Sequence, residues 1–230
     1  SFMGGTMVAQ ETTGTITGMV TDPSGAAIPG ATIEITGPNL PRPLVASLDE
    51  GGSYLLGNVP VGTYAASATA NGFTKLRKND LNVVIGRTLR LNFAMEVGSV
   101  SESVVVSADA VMVDTTSSSS AVTVDKSFSD LLPKGRSFYD LAMVAPGARP
   151  ESKTGGVQVD GASGSENTFY IDGMEVTDIR TGVLAEGNRI PVEMIQQMQI
   201  KNGVTEAQYG GAMGGVISAV VRSGTNAFHG

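Results

Sequence analysis

The sequence predicts a mainly β protein, in which an N-terminal β-sandwich is followed by a domain of mixed α and β structure. Two observations support this fold class. In the first part of the chain, short stretches of alternating apolar and polar residues recur between Gly- and Pro-containing turns, at a spacing of roughly 8–12 residues that is typical of sandwiches. In the second part, strand-like stretches occur among short segments of helical periodicity, a mixture that is typical of α+β domains.

The sandwich is expected to span residues 14–97. In the stretch 31–36, Ala31, Ile33 and Ile35 are apolar and the residues between them are polar or charged, so we expect one face of this strand to enter the core. The same period of two occurs near the end of the domain, where the inward-facing residues are predicted to be Leu89, Leu91, Phe93 and Met95.

The second domain is expected to span residues 121–230 and to begin with two short helices. Asp125 or Ser127 can cap the first helix and Ser137 the second, because their side chains accept hydrogen bonds from the free amides of a first helical turn. The second helix is expected to bury one apolar face, formed by Phe138, Leu141, Ala142 and Ala145.

The remaining elements of this domain are mostly strands. The stretches "VQVDG" and "TFYIDG" are predicted as strands that end in turns at Asp160-Gly161 and Asp172-Gly173. The stretch "IPVEMIQQM" is predicted as a helix with Pro191 in its first turn, followed by a strand in "QIKNG". A closing strand is expected in "GGVISAVVRSG".

Two further segments lie outside the predicted domains. Residues 1–13 are interpreted as a tag remnant and the mature N-terminus, in which "MVAQ" is compatible with the stub of a removed export signal. Residues 98–120 are predicted to be a linker because the run "TTSSSS" is small and polar. The three consecutive valines of "SESVVVSADA" nevertheless predict a short strand inside this linker.

The composition excludes several classes of function. The formal net charge is −7 and the Lys and Arg residues form no basic stripe, which argues against a nucleic-acid partner. The chain has no Cys, which excludes disulfides and thiolate metal sites. No apolar run in the sequence reaches the length of about 20 residues that a membrane-spanning helix requires.

Residue patterns for catalysis are weak, and we expect neither an enzyme nor a bound cofactor. The one histidine, His229, is next to the last residue, where a general base would be poorly held. The Gly-rich stretch at 155–167 lacks the Lys-Ser/Thr pair of a phosphate loop. The acid–Gly pairs are interpreted as turns, although Asp172, Glu175 and Asp178 leave a weak alternative of a bound cation.

Residues 14–97 resemble the carboxypeptidase regulatory-like, transthyretin-like β-sandwich. The resemblance depends on a Gly-x-Tyr…Val-Pro-x-Gly-x-Tyr pattern, which is formed here by Gly52, Tyr54, Val59, Pro60, Gly62 and Tyr64. The resemblance implies a domain without catalytic activity of its own.

Residues 121–230 resemble the plug domain of TonB-dependent outer-membrane transporters of the Oar-like kind. The stretches that support this are "DLLPKGRSFYDLAMVAPG", "VDGASGSENTFYIDGMEVTD" and the run from Val192 to Gly230, which ends in "SGTNAFHG". The resemblance implies an α+β plug inside a C-terminal β-barrel that this chain lacks. It also implies energy supplied by TonB, a transported substrate whose identity is not readable, and a location in the cell outer membrane, with this portion on the periplasmic side and in the barrel lumen.

The valine stretch is similar to the TonB box that precedes the plug in this family. The resemblance implies that TonB binds the segment by adding a strand to it, and the candidate residues are Glu102, Ser103, Val104, Val105, Val106, Ser107 and Ala108. The alternative is a structural strand that pairs within the chain itself, because short apolar strands usually do so.

Plug apices of the family contact the substrate, which implies candidate loops at about 160–168 and 174–188 here. The candidate substrate-facing residues are Ser163, Ser165, Glu166, Asn167, Glu175, Asp178 and Arg180.

Two other functions remain open at this point. The chain could be a binding or adhesion module of the cell envelope without transport activity, which a gene ending near residue 230 would favour. It could also be an accessory domain of a hydrolase, which only the regulatory-like sandwich suggests.

Overall fold

The chain folds into two compact units, Thr12–Thr115 and Thr116–Arg222. The structure is a computed structural model, and the residues that it describes are 12–98, 103–107, 111–113, 121–125, 137–153, 156–178, 180–202, 214–222 and 224. No helix among these residues combines the length and apolarity that crossing a lipid bilayer requires.

The N-terminal unit is a β-sandwich, as predicted. Its strands are β1 (Thr13–Thr21), β2 (Thr32–Thr36), β3 (Leu44–Ser47), β4 (Ser53–Pro60), β5 (Gly62–Thr69), β6 (Lys75–Val83), β7 (Thr88–Arg90), β8 (Phe93–Ala94), β9 (Ser103–Ser107) and β10 (Val111–Val113). One sheet has the order β10-β7-β1-β4, with β8 also on β1, and the other has the order β3-β2-β5-β6-β9. The two sheets enclose one apolar core.

The predicted alternation in this unit is confirmed. Ala31, Ile33 and Ile35 are buried, and so are the four apolar residues predicted for the stretch 88–97. Thr32 is exposed between its buried neighbours. Period-two patterning therefore identified the inward faces of β2 and of the β7–β8 region correctly.

Two buried tyrosines of the family-like pattern hold the sandwich through their hydroxyl groups. The Tyr54 hydroxyl donates to the carbonyl oxygen of Leu91 at 2.6 Å, and the Tyr64 hydroxyl donates to that of Pro60 at 2.8 Å. Burial raises the pKa of Tyr54, and it raises the pKa of Tyr64 to about 12. Both groups therefore remain neutral donors at ordinary pH.

The expected linker contributes strands to both sheets of the sandwich. Ser103–Ser107 runs parallel to Lys75–Asn79, and Val111–Val113 runs antiparallel to Thr88–Arg90. The strand expected at the valines is thus present, and its neighbour in the sheet is β6 of the same chain. The sequence pattern alone did not identify that neighbour, because a short apolar run does not specify which sheet edge it joins.

The C-terminal unit combines one mixed sheet with a short helix. Its elements are β11 (Ala121–Asp125), α1 (Phe138–Ala142), β12 (Ala148–Pro150), β13 (Val157–Val159), β14 (Thr168–Ile171), β15 (Met174–Glu175), β16 (Ile195–Lys201) and β17 (Val216–Val221). The sheet order is β11-β16-β17-β14-β15, and β12 pairs with β13. The predicted α+β class is confirmed, with strands in the majority.

The second of the two predicted helices is confirmed as α1. The Ser137 side chain accepts a hydrogen bond from the Asp140 amide, and the Asp140 side chain accepts one from the Ser137 amide, so the two residues form a reciprocal capping box. The predicted face is buried. Asp125 is the last residue of β11, while Ser127 lies outside the described residues.

The helix expected at 190–198 is wrong. A single 3-10 turn covers Val192–Met194, and β16 begins at Ile195. The strand is central in the sheet, because β11 pairs with one of its edges and β17 with the other. Pairing on both edges supplies partners for the backbone, which outweighs the weak helical signal of the local sequence.

Both predicted Asp-Gly turns are confirmed. Asp160 has a φ of 49° and Gly161 a φ of 88°, and Asp172 has a φ of 48° and Gly173 a φ of 78°. Consecutive positive φ angles are the geometry of a tight hairpin turn, which Asp-Gly pairs adopt readily. These carboxylates therefore belong to turns, as the sequence indicated.

Candidate functional site

The valine segment, the first candidate site, lies at an edge of the N-terminal sandwich. Ser103–Ser107 pairs with β6 along its full length, from Lys75 opposite Ser103 to Asn79 opposite Ser107. Glu102 and Ala108 lie outside the described residues. The segment is therefore held as an extended strand on its own chain, which is the position that the structural alternative predicted.

The second candidate site is a group of three loop segments of the C-terminal unit, which we call the loop cluster. Its described residues are 151–153, 156, 163–167, 178 and 180–182. Its central element is a 3-10 turn at Gly164–Glu166. The Ser163 amide donates to the Glu166 carboxylate at 2.8 Å, and the Ser163 hydroxyl lies 3.1 Å from that of Ser165. The predicted residues Ser163, Ser165 and Glu166 thus form one capped turn.

Glu151 connects the first loop segment to this turn. Its carboxylate accepts hydrogen bonds from the Ser163 hydroxyl at 3.0 and 3.1 Å and from the Gly164 amide at 2.5 Å. The Glu151 amide in turn donates to the Gly156 carbonyl at 2.9 Å. Glu151 could not be identified from the sequence, because a single glutamate in a polar stretch carries no pattern.

The segments approach so closely that glycine is required where they meet. A Cβ placed on Gly164 would lie 2.8 Å from the Cα of Gly156, and one placed on Gly182 would overlap the backbone of Ser165. Atoms at these separations repel, so a larger residue would push the loops apart. Gly156 and Gly182 were also missed, although the glycine content of this region gave a general signal of close approach.

Asn167 is buried and joins three segments of the unit. Its side-chain amide donates to the Val157 carbonyl at 2.5 Å, and its side-chain oxygen accepts from the Gly215 amide at 2.7 Å. The residue is 2% exposed, so a substrate could reach it only after these bonds were released. The structure thus places this candidate inside the domain, where it holds β13, β14 and β17 together.

Asp178 and Arg180 form an exposed turn at the end of the loop cluster. The Asp178 carboxylate accepts from the Arg180 amide at 2.8 Å and lies 3.4 Å from its guanidinium group. The amide hydrogen bond, followed by that of the side chain, holds the pKa of Asp178 below its usual value. The Arg180 side chain is 83% exposed, so its charge is available to a ligand.

Glu175 is exposed on β15, where it is paired with Tyr170. Asp172, the third acid of the weak cation alternative, accepts a hydrogen bond from the Val221 amide at 2.8 Å. No group of three or more His, Cys, Asp or Glu residues in the described part of the chain is arranged to hold a metal ion. The acids of this region therefore serve turns and strand ends.

Comparison with known protein families assigns both units. Residues 15–96 match the family described as carboxypeptidase regulatory-like domain, and residues 107–216 match that described as TonB-dependent receptor plug domain. The C-terminal unit is a TonB-dependent receptor plug domain. The chain has the domain order of the N-terminal region of a TonB-dependent transporter.

A characterised relative supports the same assignment for the plug and the sandwich together. The chain is 31% identical over 227 residues to the TonB-dependent transporter Oar of Myxococcus xanthus, and the match covers 94% of this chain. It covers 21% of the length of that protein. The similarity therefore concerns the sandwich and the plug domain, and not the remainder of the relative.

Solved structures give weaker likenesses. The Bacillus anthracis TIE protein is 21% identical over 37% of this chain and 17% of that chain, with a TM-score of 0.32. The hydroxyquinol 1,2-dioxygenase of Pseudomonas putida DLL-E4 is 11% identical over 43% of this chain and 64% of that chain, with a TM-score of 0.29. Similarities at this level carry no argument about function.

Proposed function

We propose that the chain is the periplasmic and plug portion of a TonB-dependent outer-membrane transporter, in which the plug domain gates a β-barrel and TonB supplies the energy. The single observation that carries the proposal is the plug match over residues 107–216, within an alignment to the transporter Oar that covers 94% of the chain. The proposed location is the outer membrane, with the plug in the barrel lumen and the sandwich in the periplasm.

The internal bonding of the plug supports a role as a body that moves without chemical reaction. One apolar cluster includes residues of α1, β13, β14, β16 and β17, and the Asn167 amide bonds link strands across the unit. A domain held in this way can shift or remodel under a pull, because close-packed interiors transmit strain. The acids of the described loops serve turns and strand ends, as at Glu166 and Asp172.

The proposed contact with TonB is the segment Glu102–Ala108. An edge strand presents a row of backbone N–H and C=O groups, and a partner strand can bind by continuing the sheet. The β conformation of Ser103–Ser107 supports this proposal, because the segment is already extended. Its β-branched valines favour that conformation.

The proposed substrate-facing surface is the exposed part of the loop cluster together with β15. Arg180, Glu175, Ser165 and Glu166 are exposed there, and they offer charges of both signs. Such a surface fits a polar ligand that is held by several weak contacts. The buried Asn167 is proposed to hold these loops in place through its hydrogen bonds to Val157 and Gly215.

Binding to TonB is tested with the full chain and the periplasmic C-terminal domain of TonB from the same bacterium. Val105→Pro removes an amide donor from β9, and we expect it to weaken binding at least tenfold. The matched control is Val45→Pro, which makes the same change in β3, the outermost strand at the opposite edge of the same sheet. Equal binding by the two variants and the native chain would remove the proposed TonB contact.

The gating role is tested in cells with the full-length gene. Deletion of residues 116–222 should leave an open pore and make cells sensitive to a large antibiotic such as vancomycin, which the outer membrane normally excludes. The matched control is deletion of residues 12–98, which should leave that resistance unchanged. Unchanged resistance after loss of the plug, with the protein present in the outer membrane, contradicts the gating proposal.

A further inference from the structure

The β9 strand has a partner on one side. It is the last strand in the order β3-β2-β5-β6-β9, and among the described residues its pairing is with Lys75–Asn79 of β6. Successive amide groups of a strand point to opposite edges. The edge of β9 that faces away from β6 therefore presents a second row of donors and acceptors.

The chain is anchored on the sandwich both before and after β9. Before it, the Gly98 amide donates to the Gly72 carbonyl at 3.1 Å, and the Thr74 amide donates to the Glu96 carbonyl at 2.9 Å. After it, Val111–Val113 pairs with β7 of the other sheet. The segment is thus held extended between two fixed points, one near each sheet.

Strand β6 contains an irregularity next to the residues that pair with β9. The register between β5 and β6 shifts between Tyr64 and Ala66, and Asp80 adopts a positive φ of 58°. A bulge of this kind bends the strand and ends regular pairing. The described ladder with β9 reaches Asn79 opposite Ser107, directly before this irregularity.

We infer that β9 stays on β6 when its partner binds, and that the outer edge of β9 receives the partner strand. The N-terminal domain would then present the segment, and one continuous sheet would run from the sandwich into TonB. This inference rests on the proposed function, since it names the way in which TonB reaches the Glu102–Ala108 segment. The backbone groups of a strand edge are matched by another extended strand, which binds by continuing the sheet.

Adding the partner strand to the outer edge of β9 requires fewer changes than replacing β6 with it. To replace β6, the partner would have to break the ladder from Lys75 to Asn79 and leave that edge of the sandwich unpaired. Addition leaves the ladder intact, and β9 is already extended, so less conformational freedom is lost on binding.

A reversible disulfide between the two strands tests the inference. Arg77 and Val105 are opposite each other in the ladder, at the separation of about 5 Å that neighbouring strands share and that suits a disulfide. The native chain has no Cys, so Arg77→Cys with Val105→Cys forms one defined bond. The oxidised and reduced forms of this double variant are compared for binding to the TonB domain.

We expect the oxidised form to bind with a Kd within about twofold of that of the reduced form. A loss of tenfold or more on oxidation, restored by a reducing agent, would show that the partner takes the place of β6 and would overturn the inference. The single variants Arg77→Cys and Val105→Cys show the effect of each substitution alone. If the reduced form lacks affinity, the native chain is used in the exchange measurement that follows.

Amide hydrogen exchange in the native chain gives an independent readout. If the partner adds to the outer edge, amides of β6 that face β9 stay protected in the complex, and a second, alternate set of amides in Ser103–Ser107 gains protection. If the partner replaces β6, those β6 amides exchange faster in the complex, and the inference is wrong. If native chain and TonB domain form no complex at all, the proposed TonB contact fails and this inference fails with it, whereas replacement of β6 leaves the proposed function standing.

Discussion

The Tyr54 hydroxyl reaches across β1 to donate a hydrogen bond to the carbonyl oxygen of Leu91 at 2.6 Å. The residue that it crosses is Gly18, which is paired with Tyr54 in the ladder between β1 and β4. A Cβ on Gly18 would overlap the Leu91 carbonyl and lie 3.0 Å from the Tyr54 ring. The segments that contain Gly18, Tyr54 and Leu91 are therefore closely packed here.

Replacing Tyr54 by Phe should destabilise the sandwich by about 1–2 kcal/mol, because a buried carbonyl loses its hydroxyl donor. The ring remains, so its packing is preserved. The measurement is the free energy of unfolding in urea, followed by a signal from the N-terminal unit. Tyr64→Phe is a useful comparison, since it removes the analogous bond to Pro60. An unchanged free energy of unfolding for Tyr54→Phe would contradict this account.

Replacing Gly18 by Ala should destabilise the same unit by roughly 1–3 kcal/mol, which is the usual cost of forcing extra volume into a packed site. The matched control is Gly57→Ala in β4, where an added Cβ meets no atom within 4 Å. That control should be neutral or slightly stabilising, because alanine loses less backbone freedom on folding. Equal effects of the two substitutions would argue against the close approach at Gly18.

Stability should fall at high pH because of the buried tyrosines. An unfolded tyrosine ionises near pH ~10, whereas burial raises the pKa of Tyr64 to about 12. Between these values the unfolded chain releases a proton that the folded chain retains, so the free energy of unfolding decreases as pH rises. The measurement is urea unfolding at several pH values from 9 to ~12. Tyr64→Phe should show a shallower decrease, and an identical slope would contradict the assignment.

Replacing Asn167 by Ala should destabilise the plug by about 2–4 kcal/mol, since two hydrogen bonds of a buried group are lost and the Val157 carbonyl and Gly215 amide lose a partner. Asn167→Asp keeps an acceptor for Gly215 and removes the donor to Val157. Because it also buries a carboxylate, it should unfold more easily at neutral than at mildly acidic pH. Ser165→Ala, at an exposed neighbour, serves as the control. Thermal unfolding of the C-terminal unit is the measurement, and equal midpoints for all three would refute the role of Asn167.

Sequence patterns predicted this fold where one face of an element is buried and the other is not. The alternation of Leu89, Leu91, Phe93 and Met95 could be read directly, because side chains of a strand alternate between core and solvent. The helix predicted around Ile195 was wrong for two reasons. Pro191 is typical of a helix start, and a central strand that is buried on both faces lacks the alternation that would identify it.

For the candidate sites, the sequence identified segments but did not identify the tertiary contacts within them. The resemblance to TonB-dependent transporters identified the valine segment and the loops as candidates. The Asp-Gly pairs predicted the two turns correctly. The part played by Asn167 was not readable, because its bonding partners Val157 and Gly215 lie 10 and 48 positions away along the chain. The contact of Glu151 with Ser163 is likewise tertiary, and a lone acid carries no local signature of it.

The closing strand β17 lies in the middle of the plug sheet, between β16 and β14. Strands β14 and β16 are synthesised before β17. The edge of each that pairs with β17 therefore stays unpaired by it until Val216–Val221 has been synthesised. A polypeptide exported from its N-terminus onwards would cross a membrane with this domain still incomplete. It would emerge in a threadable form, and this domain could complete its sheet only after Val216–Val221 had crossed.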